Sequence, residues 1–338
     1  MRLALVPREL AAETVADLLH HNMIVRNAKI SRSEEIVLIP VNEAGEKYCI
    51  SIGLKVIEGE THGRKDESPH RLIQKALDLP EEKMRLLPHK WELFGDLAII
   101  RLDERLREHE EEIGRAYAKA LGVSSVCVDR GGVKGEFRQP TVDLIYGETS
   151  ESVRLENGIL YKMDVCKLMF ASGNVDERAR MGELDCKGEI IVDMFAGIGY
   201  FTLPLAKYTG AEMVYACEKN PVAFKYLQDN IRLNDVTGKV CPVLGDNRSL
   251  PLAGIADRVV MGYLKGTRDF LWKGFELVAP GGVIHFHETY NVKEMPHALT
   301  RDLTLSSGGR EYKVETLREV KSFAPSVSHY VADIKVYD

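Results

Sequence analysis

Glu189-Ile-Ile-Val-Asp-Met-Phe-Ala-Gly-Ile-Gly-Tyr-Phe-Thr202 is the stretch whose reading decides the fold. It reads as a short buried strand, an acid at the strand's end (Asp193), and a turn, Gly197-Ile198-Gly199, that opens a helix. Glycines at 197 and 199 leave the main chain bare, so a ligand can approach backbone that a β-carbon would block. The helix N-terminus that follows brings unpaired N–H groups and a partial positive charge. These features describe a nucleotide-type cofactor site. Two other readings stand beside it: glycines serving turn geometry alone, and a dinucleotide fingerprint. The fingerprint requires G-x-G-x-x-G, whereas Thr202 stands at its third glycine and an acid precedes the turn, where it would repel a pyrophosphate.

Asp193-x-Phe195-x-Gly197-x-Gly199 resembles motif I of the class I S-adenosylmethionine (SAM) enzymes, whose ligand carries a cationic sulfonium and no phosphate. Met213-Val-Tyr-Ala-Cys217 reads as a second strand running into Glu218-Lys-Asn-Pro221, with Pro221 suited to the first turn of a helix. An acid at that strand end accepts from both hydroxyls of a ribose. Val240-Cys-Pro-Val-Leu244 then leads into Gly245-Asp246-Asn247, where a carboxylate and an amide accept from an adenine amino group and donate to a ring nitrogen. Singly, Glu218 and Asp246 read as solvated loop acids. Three strand-end acids in βαβαβ order after a glycine turn point instead to SAM.

The C-terminal part continues the pattern. Ala256 to Met261 reads as a fourth strand, Thr267 to Val278 as a helix, and Pro280-Gly-Gly-Val-Ile-His-Phe-His287 as a turn and fifth strand. Tyr312 to Lys321 and Ser328 to Tyr337 read as a terminal antiparallel pair. Strands alternating with helices predict an α/β fold, a Rossmann-like, doubly wound, class I SAM-dependent domain with ligands at the carboxyl edge of its sheet.

At 338 residues the chain is long enough for two or three domains, and 45% hydrophobic residues supply a sizeable core. Residues 1–58 read as a small α/β module, with a helix from Ala11 to His21 and strands at Glu35–Pro40 and Tyr48–Ile52. Residues 59–80 open on a polar, Gly- and Pro-punctuated run and read as a linker. Residues 81–150 read as an α/β accessory or RNA-binding domain, with strands at Leu97–Leu102 and Val123–Asp129 around a charged helix, Glu104–Leu121; residues 151–338 form the SAM domain. No apolar run reaches the roughly 18–20 residues that span a bilayer. The N-terminus lacks a signal peptide's apolar region, so no membrane partner is expected. Six cysteines without a C-x-x-C pair indicate neither zinc nor a disulfide framework and fit a reduced cytoplasm. The net charge of −6 gives no support to a nucleic-acid partner, although binding needs only a local basic face.

The end of the fourth strand bears on the reaction. Enzymes that methylate base nitrogens commonly place Asn/Asp-Pro-Pro-Tyr or Asn-Leu-Pro there, and this chain has Met261-Gly262-Tyr263-Leu264 with no amide. The sequence resembles the tRNA wybutosine-synthesising aminocarboxypropyltransferases, relatives of the tRNA guanine-37 N1-methyltransferases. The likeness runs through Leu87-Pro-His-Lys-Trp-Glu-Leu-Phe-Gly-Asp96, Leu144-Ile-Tyr-Gly147, Glu156-Asn-Gly-Ile-Leu-Tyr-Lys162 and Met169-Phe-Ala-Ser-Gly-Asn-Val-Asp-Glu-Arg-Ala-Arg-Met181. It continues through motif I, Gly245-Asp-Asn-Arg248, Ala256-Asp-Arg-Val-Val-Met-Gly-Tyr263 and Phe323-Ala-Pro325, about residues 85–338. Residues 1–58 resemble, less closely, the module the methyltransferases set against the tRNA elbow.

The resemblance implies a substrate, tRNA(Phe) carrying 4-demethylwyosine at position 37. The C7 carbon of that base attacks the γ-carbon of SAM's methionine arm, transferring 3-amino-3-carboxypropyl and releasing methylthioadenosine. All three carbons on the sulfonium are electrophilic, so alignment chooses the product. A tRNA position-37 methyltransferase is the alternative, and a non-catalytic RNA-binding protein on a degenerate SAM fold a third reading. By the family pattern, Glu218 holds the ribose and Asp246 with Asn247 the adenine, while Asp193, Phe195, Gly197 and Gly199 are expected to contact the cofactor as well. Arg178 reaches the cofactor and its methionine carboxylate. Family members often carry Ser where this chain has Ala171, so a cofactor contact there runs through main chain. Tyr263 is a candidate to stack on the tricyclic base. His285 and His287, alternating beside Glu288, read as a packed pair or as candidates to position substrate, with a metal reading of the His-x-His-Glu run as the lesser option. Arg130-Gly-Gly-Val-Lys134-Gly-Glu-Phe-Arg138 is a glycine-rich basic loop suited to RNA phosphates. No metal is expected, and a monomer is.

Overall fold

The computed structural model describes residues 1–8, 10–25, 28–32, 35–59, 68–264 and 266–337. Residues 60–67 of the expected linker lie outside the described residues. The chain divides into two units, Met1–Ala76 and Leu77–Asp338.

The first unit contains β1 (Arg2–Pro7), α1 (Ala11–His20), β2 (Ser31–Arg32), β3 (Ile36–Pro40), α2 (Glu43–Ser51), β4 (Lys55–Glu58) and α3 (Pro69–Ala76). Its strands form an antiparallel sheet in the order β2-β3-β1-β4. Ala4, Val6, Leu18, Val37, Ile39 and Cys49 make its core. The strand expected at Tyr48–Ile52 is instead mostly helix α2. Asn42 caps that helix, its side chain accepting from the Gly45 amide at 2.9 Å. Cys49 is fully buried and Ile50 is 58% exposed, but a short apolar run does not tell helix from strand by periodicity alone. The helix α3 falls within the stretch expected as linker.

The second unit opens with α4 (Glu81–Met84), β5 (Trp91–Phe94), β6 (Leu97–Ile100), α5 (Glu110–Leu121), β7 (Ser125–Lys134) and β8 (Gln139–Tyr146). The sheet runs β5-β6-β7-β8, with only the β6–β7 pair parallel. The long charged helix expected from Glu104 begins as a 3-10 turn, Glu104–His109, before α5. A hairpin follows, β9 (Glu151–Glu156) and β10 (Ile159–Asp164), then α6 (Val175–Gly182). No break in packing marks residue 150. Phe94, Leu97 and Cys127 share one core with Tyr161, Met163 and Leu203, and the Asp96 amide donates to Ser152 Oγ.

The main sheet is built from β11 (Ile190–Asp193), β12 (Met213–Glu218), β13 (Val240–Leu244), β14 (Ala256–Met261), β15 (Val278–Asn291), β16 (Tyr312–Ala324) and β17 (Val327–Val336). Its order is β13-β12-β11-β14-β15-β17-β16; the first five strands are parallel and the last two antiparallel. The crossover helices are α7 (Thr202–Tyr208), α8 (Pro221–Leu233), α9 (Leu271–Leu277) and α10 (Met295–Ser306). Leu203, Leu205, Leu227 and Ile231 belong to one core cluster, and Phe275, Leu277, Leu299 and Leu303 to a second. Each such side chain contributes about 1.5–3 kcal/mol of burial. Strand order reverses between β11 and β14, and a ligand crevice is expected outside the carboxyl ends at such a reversal. Among the described residues, no helix is long and apolar enough to cross a membrane.

Candidate active site

A cavity of about 450 Å³ opens at that reversal, a size that accommodates a nucleoside ligand. Phe195, Gly197, Glu218, Asp246, Asn247 and Tyr263 all line it, brought together from four strand ends. Arg178 and Ala171 close it from α6 and the segment before that helix.

Gly197 adopts a left-handed backbone (φ +57°), and a Cβ there would meet the Tyr200 ring at 2.8 Å. Its amide donates to Glu218 Oε2 at 2.7 Å, and the Asn220 amide donates to Oε1 at 2.7 Å. Burial pushes the Glu218 carboxyl upward, against the pull of these amides. Each oxygen retains a lone pair for a ribose hydroxyl.

Asp193 and Gly199 stand behind the cavity wall rather than on it, contrary to the expectation of direct contact. Asp193 is fully buried, accepting from Thr202 Oγ1 at 2.7 Å and the Phe195 amide at 3.2 Å. The N-terminus of α7 is thus answered by a protein carboxylate, and Asp193 ties the glycine turn to its helix. Burial raises its carboxyl to about 6. Gly199 (φ +102°) is bare because a Cβ would strike Leu203 at 2.7 Å; the demand is helix packing.

On the third strand's exit, Asp246 accepts from Arg248 through both oxygens at 2.9 and 2.6 Å and pairs with Lys219 at 3.2 Å. The Arg248 guanidinium holds the Asp246 carboxyl far below the usual carboxylate range. Asn247 is buried, its Nδ2 donating to the Met194 carbonyl at 2.8 Å, while Oδ1 has no partner. The expected amide donor is therefore partly committed to main chain, and the amide's free group is an acceptor.

Arg178 is only 2% exposed. Nε donates to Glu156 at 2.6 Å, Nη1 to the Ala171 carbonyl at 2.9 Å, and the guanidinium lies 4.7 Å over the Phe170 ring. Nη2 is buried without a partner. A buried cation with one unanswered donor, on a residue that lines a cavity, fits a ligand carboxylate. Asn174 Oδ1, in the same wall, is also unpaired.

At the end of β14, a Cβ on Gly262 would meet the Phe201 ring at 2.5 Å, so the chain passes flush against that ring. Tyr263 stacks on Phe195 at 5.1 Å with 15° between planes, and Phe270 meets Phe195 edge-on at 5.1 Å.

His285 and His287 lie away from the cavity. They share one face of β15, as alternation demands, but that face is covered. His285 bridges Asp333 (2.5 Å) and Arg258 (2.8 Å), and His287 contacts His329 at 3.2 Å. Burial pushes both imidazoles down, which keeps them neutral. Glu288 instead accepts the amides of Gly266, Arg268 and Thr289, so the three side chains do not converge. The pair is packed, one of the two readings expected of it, and the other, direct substrate positioning, is corrected by this placement. Among the described residues, no cluster of His, Cys, Asp and Glu is arranged to hold a metal.

The basic loop is a hairpin tip between β7 and β8. Arg130 is clamped by Glu110 (2.7 Å at Nη2) and Asp143 (2.9 Å), so its charge is answered inside the protein. Lys134 is exposed. Arg138 turns into the cavity wall beside Glu136 and Phe137, its Nε buried without a partner. Sequence reasoning missed Asn174 and Lys321 of the lining. Asn174 lies within a run quoted for its resemblance, whereas Lys321 reaches the cavity only through the pairing of β16.

The profile of the TRM5/TYW2 methyltransferase domain matches residues 152–315, and that of the TYW2 N-terminal domain matches residues 72–150. The chain is 41% identical over 262 residues to the Pyrococcus horikoshii tRNA(Phe) (4-demethylwyosine(37)-C(7)) aminocarboxypropyltransferase, covering 77% of this chain and 94% of that protein. The crystal structure of P. horikoshii TYW2 in complex with MeSAdo superposes with a TM-score of 0.71 at 38% identity, covering 79% of this chain and 99% of that one. Wild-type Trm5b from Pyrococcus abyssi superposes with a TM-score of 0.69 at 30% identity over the full length of both chains.

Proposed function

The chain belongs to the family of tRNA wybutosine-synthesising aminocarboxypropyltransferases, and on that premise we propose that it transfers the 3-amino-3-carboxypropyl group of SAM to C7 of 4-demethylwyosine at position 37 of tRNA(Phe). The observation that carries this reading is the likeness to aminocarboxypropyltransferases, which spans both the SAM domain and the segment before it. The geometry agrees. SAM supplies an electrophilic carbon and its own leaving group; the residues bind and align it. Glu218 holds the ribose, Asn247 Oδ1 accepts from the adenine amino group with Asp246 beside it, and Arg178 Nη2 holds the carboxylate of the arm to be transferred. With that arm pinned at its far end, the γ-carbon is presented where a methyltransferase presents the methyl group. Tyr263, already stacked on Phe195, extends an aromatic platform on which an unpaired tricyclic base can lie.

The exposed Lys134 serves tRNA phosphates, whereas Arg130 orders the hairpin and Arg138 joins the cofactor wall. Residues 1–58 serve the tRNA elbow, a role supported by the full-length likeness to Trm5b. The six cysteines are all free, in keeping with a cytoplasmic enzyme, which we take to act as a monomer. Methylation at position 37 is the second reading, favoured by that same full-length likeness and opposed by the missing amide at Gly262-Tyr263. SAM labelled separately in its methyl and carboxyl groups, offered to tRNA(Phe) bearing 4-demethylwyosine or guanosine at position 37, tests the assignment. Carboxyl label on the tricyclic tRNA alone is expected. Methyl label on the guanosine tRNA refutes it.

A further inference from the structure

Lys321 enters the cavity from β16, and among the described residues no carboxylate answers its charge. Its Nζ packs against bare main chain, since a Cβ built on Gly173 would lie 2.8 Å from it. Every carboxylate of the wall is already committed: Glu218 to two amides, Asp246 to Arg248 and Lys219, and Glu136 to Lys219. Behind the wall, Glu156 holds Arg178. Among the described residues, two charged or titratable groups face Lys321 from the elements packed against it. One is the Arg178 guanidinium on α6; the other is His329, its register partner across the β16–β17 pair. Burial and the Arg178 charge both push the Lys321 ammonium below the usual lysine range. Burial, with the Lys321 charge second, lowers His329 to about 4, so that imidazole is neutral at pH 7.

The proposed reaction needs a proton acceptor. As the bond from C7 to the γ-carbon forms, the γ-carbon–sulfur bond breaks and its electron pair leaves on neutral methylthioadenosine. The tricyclic base is then cationic until C7 loses its hydrogen as a proton. The geometry points to Lys321 as the group that takes this proton: its neutral amine becomes ammonium beside the reacting base and returns the proton to solvent once product leaves. This role rests on the reaction proposed above. It makes Lys321 a catalytic residue, and Arg178 its electrostatic tuner as well as an anchor.

The experiment compares Lys321→Arg and Lys321→Met with wild type, as full chains on modified tRNA(Phe), by single-turnover rate against pH and by calorimetric SAM affinity. The wild-type rate is expected to rise with pH to a plateau, because the neutral amine is the active form. Both variants are expected to lose about 10²–10⁴-fold in rate and the rising limb with it, a general base's usual contribution, while SAM affinity is unchanged. Added ethylamine is expected to restore turnover in Lys321→Met. A Lys321→Arg enzyme at wild-type rate overturns the proposal, because a guanidinium accepts no proton at these pH values; it assigns Lys321 to charge alone. A parallel fall of SAM affinity and rate in Lys321→Met overturns it equally. A wild-type enzyme that forms no methylthioadenosine refutes the underlying reaction, and this role falls with it.

Discussion

Replacing Arg178 by Met separates two functions of one guanidinium. The variant keeps an apolar stem against Phe170 but removes the partner of Glu156, both side chains being almost wholly buried. Breaking a buried pair from one side costs about 3–5 kcal/mol. Arg154 lies 3.2 Å from the other Glu156 oxygen, which places the expected loss near the lower end, ~3 kcal/mol. For a unit of this size that is roughly 6–12 °C in Tm. The effect on ligand is separate. Arg178 Nη2 is a buried donor without a partner, and a charge-assisted hydrogen bond to the SAM carboxylate contributes about 1.5–3 kcal/mol, or roughly 10- to 150-fold in Kd. Methylthioadenosine lacks that carboxylate, so its affinity should not change. Calorimetric titration of both ligands, with scanning calorimetry for Tm, reads all three quantities. Equal weakening of SAM and methylthioadenosine would mean that Arg178 only shapes the wall, and the anchoring argument would fail.

Three further outcomes follow from particular contacts. The Asp193 carboxyl is raised from 3.8 to about 6 in the folded state, so its contribution is fully present below the unfolded value and lost as pH rises through about 6. The difference amounts to ~3 kcal/mol, so Asp193→Asn should lose most of its stability relative to wild type at pH 4 and least at pH 7.5; urea curves that stay parallel at both pH values refute this. Lys134→Ala should lower the salt slope of tRNA binding by about one and leave SAM affinity intact, whereas Arg138→Ala should weaken SAM; equal effects of the two on both ligands contradict the split. Gly262→Ala, with its Cβ 2.5 Å from Phe201, should cost about 1–3 kcal/mol by denaturation, and Gly238→Ala, with nothing within 4 Å, should be nearly neutral; equal costs would contradict the packing argument.

The first three parallel strands were legible because an apolar run ends in an acid at Asp193, at Glu218 and again near Asp246, and the fourth and fifth as apolar runs at Ala256–Met261 and after Pro280-Gly-Gly. Such local patterns carry strand ends faithfully, which is why Glu218, Asp246 and Asn247 meet at one cavity. What lies beside a strand end depends on tertiary cover. Alternation placed His285 and His287 on one face of β15, yet only the packed structure shows Asp333, Arg258 and His329 covering that face. Asp193 and Gly199 belong to the motif's pattern but act one layer back, on helix packing. Lys321 sits about 130 residues beyond motif I on an edge strand, and no local feature distinguishes it from its neighbours. The run Cys49, Ile50 and Ile52, at the end of helix α2 and its C-cap, suits either period, so the sequence alone does not tell helix from strand there.

The central claim is that this chain breaks the γ-carbon–sulfur bond of SAM and not the methyl–sulfur bond. Mass spectrometry of both products, after incubation with SAM and tRNA(Phe) bearing 4-demethylwyosine, tests it most directly. Methylthioadenosine together with an aminocarboxypropyl mass gain on the base is the predicted result; S-adenosylhomocysteine with a single methyl gain would contradict it.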